Sequence, residues 1–242
     1  QKAIENSIGP SDAVRTITPA SAIWGYEHSI TRKAKGNTMG HKFAELAFTP
    51  KVKATQERNG SRRAYARMEA GDDHHDVLGP SEAGFIAARD SFYMATVSET
   101  GWPYIQHRGG PTGFVRLLDD KTIGFADFRG NRQYVSVGNL QTEDRVSLFL
   151  MDYPNRARLK ILGRARIVDA NDKETLQRLS MPEYGAQVER GILISIEAFD
   201  WNCPQHITQR FTLTEIEEGT APLRQRIAEL EAALRVNAPE KR

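Results

Sequence analysis

Residues Trp102 to Arg132 run W-P-Y-I-Q-H-R-G-G-P-T-G-F-V-R-L-L-D-D-K-T-I-G-F-A-D-F-R-G-N-R. β-Branched and aromatic residues recur from Tyr104 to Arg108, from Phe114 to Leu118 and from Thr122 to Asp127, and turn-forming residues separate them: Gly109-Gly110-Pro111, then Asp119-Asp120. That pattern predicts short antiparallel strands joined by tight turns. Basic groups and glycines cluster twice within it. Gln106-His107-Arg108-Gly109-Gly110 closes one strand, and Arg129-Gly130-Asn131-Arg132 follows another. Both clusters suit an anionic, planar ligand.

Working outward, the strand pattern continues on both sides. Upstream, Pro80 and Ser81 open a short helix with Ser81 as its expected N-cap, Glu82 in the first turn and Asp90 at the end. Ser91 to Ser98 has strand composition, and Glu99-Thr100-Gly101 supplies a hairpin turn. Downstream, a short helix is expected over Gln133 to Leu140, where Tyr134, Val137 and Leu140 share a face. Strands follow over Arg145 to Met151 and Arg158 to Val168, with Gly163 as a bulge or bend. Asn171 is the expected cap of a further helix, with Glu174 at capping-box spacing. Gly191 to Ala198 alternates Ile192, Ile194 and Ile196 along one face of a strand. Such a run of short antiparallel strands predicts a mainly β fold: a six-stranded, closed or nearly closed barrel with flanking helices.

The ends differ from this body. Residues 1–75 carry scattered Gly, Pro, Ser and Thr with only short apolar groups, and are expected to be an extended arm with brief helices near Lys42–Leu46 and Lys51–Arg58. Residues 76–215 form the expected barrel domain, and 216–242 a C-terminal amphipathic helix. In that helix Leu223, Ile227, Leu230 and Leu234 follow a 4-3-4 spacing after Pro222, its expected start. The spacing fits a coiled-coil seam, though the expected use is packing on the barrel or on a second subunit.

Composition narrows the function classes. The net charge of +2 offers no bulk attraction for nucleic acid or a membrane surface. No apolar run is long enough to span a bilayer. The single cysteine, Cys203, permits no intrachain disulfide and no thiolate metal cage, which fits a reducing cytoplasm; a small buried hydrophobe is its expected role. Asp72-Asp73-His74-His75-Asp76 is expected to be a solvated loop rather than a metal site, because adjacent histidines on one extended segment point apart. No Ser-His-Asp order, metal signature or dinucleotide glycine fingerprint appears.

Three segments carry the candidate chemistry. A loop that leaves a strand and enters a helix can aim backbone N–H groups at a phosphate, and Arg132 can donate two hydrogen bonds to it. At the end of the Tyr104–Arg108 strand, alternation places His107 and Gly109 on one face and Gln106, Arg108 and Gly110 on the other. Paired glycines permit close approach of a flat ring. Trp201-Asn202-Cys203-Pro204-Gln205-His206 gathers polar side chains beside an indole, as the edge of a heterocycle would require.

Together, F-Y-M-A-T-V-S-E-T-G-W-P-Y-I-Q-H-R-G-G-P, I-G-F-A-D-F-R-G-N-R-Q-Y, N-L-Q-T-E-D-R-V-S-L-F-L before G-R-A-R-I-V, and D-W-N-C-P-Q-H-I resemble the pyridoxamine 5′-phosphate oxidase-like, FMN-binding split-barrel superfamily, over roughly residues 80–212. The last of these motifs looks like that of a subgroup of flavin-nucleotide-binding proteins. The resemblance implies a homodimer with FMN at the interface and a small-molecule substrate or electron donor. It implies that Gln106, His107, Arg108, Gly109 and Gly110 lie along the flavin ring, and that Ala126 and Asp127 lie near the ribityl chain and phosphate. Asn131 and Arg132 match the phosphate loop, Arg158 a strand that contacts the ring, and Gln205 and His206 the closing segment. The expected function is an FMN-dependent oxidoreductase. The alternatives are a non-catalytic flavin-binding sensor or carrier, or a split barrel holding haem or a deazaflavin. Two departures weigh against vitamin B6 chemistry: Gln133 stands where the family's phosphate loop has a second basic residue, and Arg210 lacks the rest of the late substrate-binding motif.

Overall fold

A computed structural model describes residues 40–71, 74–201 and 204–236. The elements in chain order are α1 (Lys42–Ala47), α2 (Pro50–Arg58), α3 (Arg62–Glu69), α4 (Pro80–Ala87), β1 (Ser91–Val97), β2 (Pro103–Gly109), β3 (Arg116–Asp119), β4 (Thr122–Phe128), α5 (Val135–Asn139), β5 (Arg145–Asp152), β6 (Ala157–Val168), α6 (Lys173–Leu179), β7 (Val188–Trp201) and α7 (Leu213–Val236).

The seven strands form one antiparallel sheet in the order β2-β1-β5-β6-β7-β4-β3. β3, four residues long at one edge, overlaps the expected strand Phe114–Leu118, and the sheet has seven strands rather than six. The sheet curls into a split barrel. Phe92 on β1 meets Phe125 on β4 edge-to-face at 5.2 Å, although three strands separate β1 from β4 in the ladder. Phe114 stacks on Phe92 at 5.8 Å. Side chains thus close the barrel where no backbone ladder does. The alternating apolar residues of β1, β5, β6 and β7 fill the interior with Met94, Leu148, Leu150, Leu159, Ile161 and Ile194.

Helices seal the ends and one flank. In α4, Gly79 is the N-cap, and its N–H donates to Glu82 at 3.0 Å; Pro80 takes the first helical position. The cap therefore precedes the expected Ser81. Ile86 is fully buried, and Arg89, just past the helix, donates to the Met151 carbonyl and to Asp152. In α6 the cap is Asp172, one residue beyond the expected Asn171, because the Asp172 carboxylate accepts from Thr175 N–H at 3.0 Å. Leu176 and Leu179 then cover Ala126, Val168 and Leu193. Gly163 does sit at a register shift between β6 and β7. The brief helices α1 and α2 lie where expected, and α3 adds a third. Near α1, His41 lies 3.9 Å from Asp200 at the end of β7, and Lys42 N–H donates to His74.

α7 starts at Leu213 and carries Pro222 in its interior, not at its start. Among the described residues no helix is long and apolar enough to cross a membrane, and no group of three or more His, Cys, Asp or Glu is placed to hold a metal ion. His75 stacks on His41 at 4.2 Å instead. Asp72, Asp73, Asn202 and Cys203 lie outside the described residues, as does the arm before residue 40.

Candidate functional site

β2 has two different faces. Tyr104, Gln106 and Arg108 alternate toward a cleft, while Pro103, Ile105 and His107 point to the opposite, exposed side. The far wall of the cleft comes from the end of β4 (Asp127, Phe128), the loop Gly130–Tyr134, the start of α5 and Glu189 on β7. The cleft is open along one side, with a volume of about 220 Å³.

An ion-pair chain runs through its floor. Asp127 is 7% exposed. One carboxylate oxygen accepts from Arg108 Nη1 at 2.5 Å, and the other lies 3.4 Å from Arg190 Nε. Asp127 and Arg190 are cross-strand partners on β4 and β7, so strand register places that pair. Arg108 reaches across from β2, which is not a ladder neighbour of β4, so this salt bridge also ties the two halves of the barrel. Arg108 Nε is buried without a hydrogen-bond partner among the described residues.

Arg190 continues the chain by donating to Glu189 at 2.8 Å. Glu189 also accepts from the Tyr134 hydroxyl at 3.2 Å, and that hydroxyl accepts from Arg132 Nε at 3.1 Å. The Arg190 guanidinium lies 4.9 Å from the Tyr134 ring centroid. Desolvation pushes the Glu189 carboxyl up, but hydrogen bonds from Arg190 and Tyr134 and the charges of Arg190 and Arg129 outweigh it, leaving the group below its ordinary value. Arg129 donates to Gln187 at 3.0 Å. Two guanidinium groups (Arg108, Arg132) and two carboxylates (Asp127, Glu189) line the cleft, and behind them Arg190 pairs with both carboxylates while Arg129 lies 3.9 Å from Glu189.

The loop is held in an uncommon shape. Arg132 and Tyr134 both adopt positive φ, at 62° and 53°. Non-glycine residues there are strained, and such strain clusters at ligand clamps. Asn131 steadies the turn by accepting from Gln133 N–H at 3.1 Å. α5, only five residues long, adds little dipole to the loop. It is fixed instead by side chains: Ser136 donates to Gln106 at 2.8 Å, and Asn139 donates to Thr96 at 2.9 Å.

Of the residues expected from sequence, Gln106, Arg108, Asp127, Asn131 and Arg132 meet at this cleft. The others lie elsewhere. His107, on the outer face of β2, packs edge-to-face on Tyr93 at 5.5 Å. The ring close to Gly110 is the chain's own Phe114; a Cβ at Gly110 would come within 2.8 Å of it. At Gly109 the near group is the His107 ring. Ala126 is buried under α6. Arg158 lies over Phe149, 5.4 Å from its centroid. Gln205 and His206 form an exposed turn that is not part of the cleft lining. Trp201 packs on Phe85 and donates to Glu82 at 2.8 Å, an anchor for α4. Tyr104, Tyr134, Ser136, Glu189 and Arg190 were not expected at the site. Alternation along β2 already implied Tyr104, whereas the β7 residues depend on a register that local pattern does not reveal.

Residues 80–207 match the family model described as pyridoxamine 5′-phosphate oxidase. A search of the curated proteins finds no match. Several solved structures are similar. HupZ of Group A Streptococcus aligns with TM-score 0.42 and 17% identity over 55% of this chain and 100% of that one. An FMN-binding protein from Syntrophomonas wolfei subsp. wolfei aligns with TM-score 0.40 and 13% identity over 61% and 97%. A Clostridium acetobutylicum protein related to general stress protein 26 aligns with TM-score 0.36 and 17% identity over 56% and 94%.

Proposed function

The chain belongs to the pyridoxamine 5′-phosphate oxidase family, and from that membership we propose that it is an FMN-binding oxidoreductase. The observation that supports this reading is the cleft between β2 and the Gly130–Tyr134 loop, with Arg132 at its loop and a buried Arg108 Nε that has no hydrogen-bond partner among the described residues. A flavin ring edge offers acceptors to such a donor, and a phosphate matches a strained basic loop.

In this reading Arg132, Asn131 and Arg129 hold the phosphate. Gln106 and Arg108 face the ring. Arg108, fixed by Asp127, sets a positive charge in the cleft wall, where it stabilises negative charge developing on a reduced ring. The cofactor supplies hydride and electron transfer; the protein supplies position and electrostatics. The cleft's 220 Å³ is below the roughly 300–1,000 Å³ of most ligand pockets. A second subunit in a homodimer would supply the remaining wall. The exposed face of β1 and β2, with Tyr93, Val97, Trp102 and Ile105, is the surface for it.

The test is an absorption spectrum of the purified protein, followed by mass identification of the released ligand. Flavin bands and the mass of FMN are the expected result. A Soret band, a deazaflavin mass, or a colourless protein that fails to bind added FMN would overturn it. A flavin carrier without turnover is the second reading, favoured by the position of His107 on the face of β2 away from the cleft. Reduction of the bound flavin by NADH, NADPH or a small reductant, with turnover, separates the two.

A further inference from the structure

α7 runs for 24 residues, and its large apolar side chains from Leu213 to Leu234 are all exposed, by 45% to 80%. Helices of this kind are stabilised chiefly by burying an apolar face. Because the helix begins at Leu213, ahead of Pro222, its stripe is longer than the sequence spacing after Pro222 suggested. Leu213, Thr220, Ile227 and Leu234 fall seven apart, and Ile216, Leu223 and Leu230 fall seven apart between them. This is an unbroken heptad seam with the first set at a and the second at d.

We propose that α7 pairs with α7 of a second copy of this chain as a parallel, in-register, two-stranded coiled coil. Charge complementarity argues for a second copy as the occupant. In that register Arg226, at g, faces Glu231 of the partner subunit, at e, and the twofold axis makes the contact twice. Both side chains now make only intrahelical pairs, Arg226 with Glu229 at 2.9 Å and Glu231 with Arg235 at 3.9 Å, so both can be recruited. The antiparallel register that sets Ile216 against Leu234 of the partner subunit also sets Arg224 against Arg224 of the partner subunit and Glu217 against Glu231 of the partner subunit, which repels.

The interruptions fit as well. Thr220 is the one polar seam residue, and its hydroxyl already donates to the Ile216 carbonyl at 2.7 Å, so burial strands no donor. Pro222 falls at c, away from the seam; bending there leaves the proline on the outer, convex side, as supercoiling of the helices requires.

The test uses the full chain with Cys203→Ser, mild oxidation, and single cysteines along α7. Leu234→Cys is expected to give a disulfide-linked dimer several-fold faster than Gln225→Cys, which lies at the outward f position. Arg226→Glu should slow that linkage several-fold, and Arg226→Glu with Glu231→Arg should restore it. These positions are exposed, so folding of the barrel is not at stake. Linkage at Leu234→Cys no faster than at Gln225→Cys would overturn the proposal, with the seam left to the chain's own barrel or to another protein. Linkage only between Leu234→Cys and Ile216→Cys chains would overturn it in favour of an antiparallel pair.

Discussion

Asp127 is the residue on which the cleft rests. Its carboxylate, 7% exposed, sits between Arg108 and Arg190. Removing one member of a buried pair leaves the opposite charge uncompensated, which costs about 3–5 kcal/mol. Asp127→Ala should therefore lower the unfolding free energy by about that amount in a denaturant titration; a loss under ~1 kcal/mol would show that the arginines find other partners. Arg132 has a different job. It is exposed at the cleft mouth, so Arg132→Ala should leave the melting temperature unchanged while weakening FMN binding roughly tenfold through a lost charge-assisted bond; an unchanged dissociation constant would remove the phosphate role. Glu189 sets a pH dependence. Its carboxyl is depressed in the folded state, so it contributes stability that is full above its ordinary value of 4.5 and is lost as pH falls below that toward the folded value. Glu189→Gln should flatten the acid limb of a stability–pH curve in that window, and an unchanged limb would mean other carboxylates set it. The candidate site was legible in part at this scale. Arg108 and Gln106 follow from strand alternation, and Asn131 with Arg132 from local composition. Glu189 and Arg190 lie more than fifty residues downstream and reach the cleft only through the Asp127–Arg190 register.

Among the elements, strands were more legible than helix starts. A strand's period of two, with turn residues at each end, is a local signal. Helix caps instead turned on single hydrogen bonds: Glu82 to Gly79 N–H rather than to a serine cap, and Thr175 N–H to Asp172 rather than Asn171. α3 was not expected because its eight residues are mostly polar and none of them is buried. β6 shows the opposite case, a glycine whose meaning was local and clear. At Gly163 the pairing with β7 shifts register, and a Cβ would stand 2.6 Å from the Ser195 carbonyl oxygen. That neighbour is backbone, within a strand paired on both sides, and cannot move aside cheaply. Gly163→Ala should destabilise the barrel by about 1–3 kcal/mol, as over-packing does, and chemical denaturation measures it. A neutral substitution would mean the bulge relaxes freely.

At the scale of the whole molecule, β2 is an edge strand with work on both faces. Its inner face supplies Tyr104, Gln106 and Arg108 to the cleft, and its outer face shows Ile105, 67% exposed, beside Trp102 at 76% in the preceding turn. Register sets this face beside mixed neighbours across the sheet: Ile105 pairs with Ala95 and Ala95 with the exposed Ser147, while Tyr93 pairs with Phe149 on one side and His107 on the other. An exposed apolar patch rimmed by polar residues, as Ile105, Trp102, Tyr93 and Val97 make here, marks an interaction surface. If a second barrel docks there, it orders the strand that also lines the cleft, so assembly and flavin binding become linked. Ile105→Glu tests the linkage. The side chain is exposed in the single chain, so the barrel should keep its melting temperature in a dilute, flavin-free sample. Docking, however, would bury an unpaired carboxylate. The expected result is a weaker flavin dissociation constant by fluorescence titration, together with faster amide exchange along β2, whether or not α7 still holds two chains together. Flavin binding as tight as in the parent chain, with β2 equally protected, would mean that one chain completes the site and that this apolar face serves another partner.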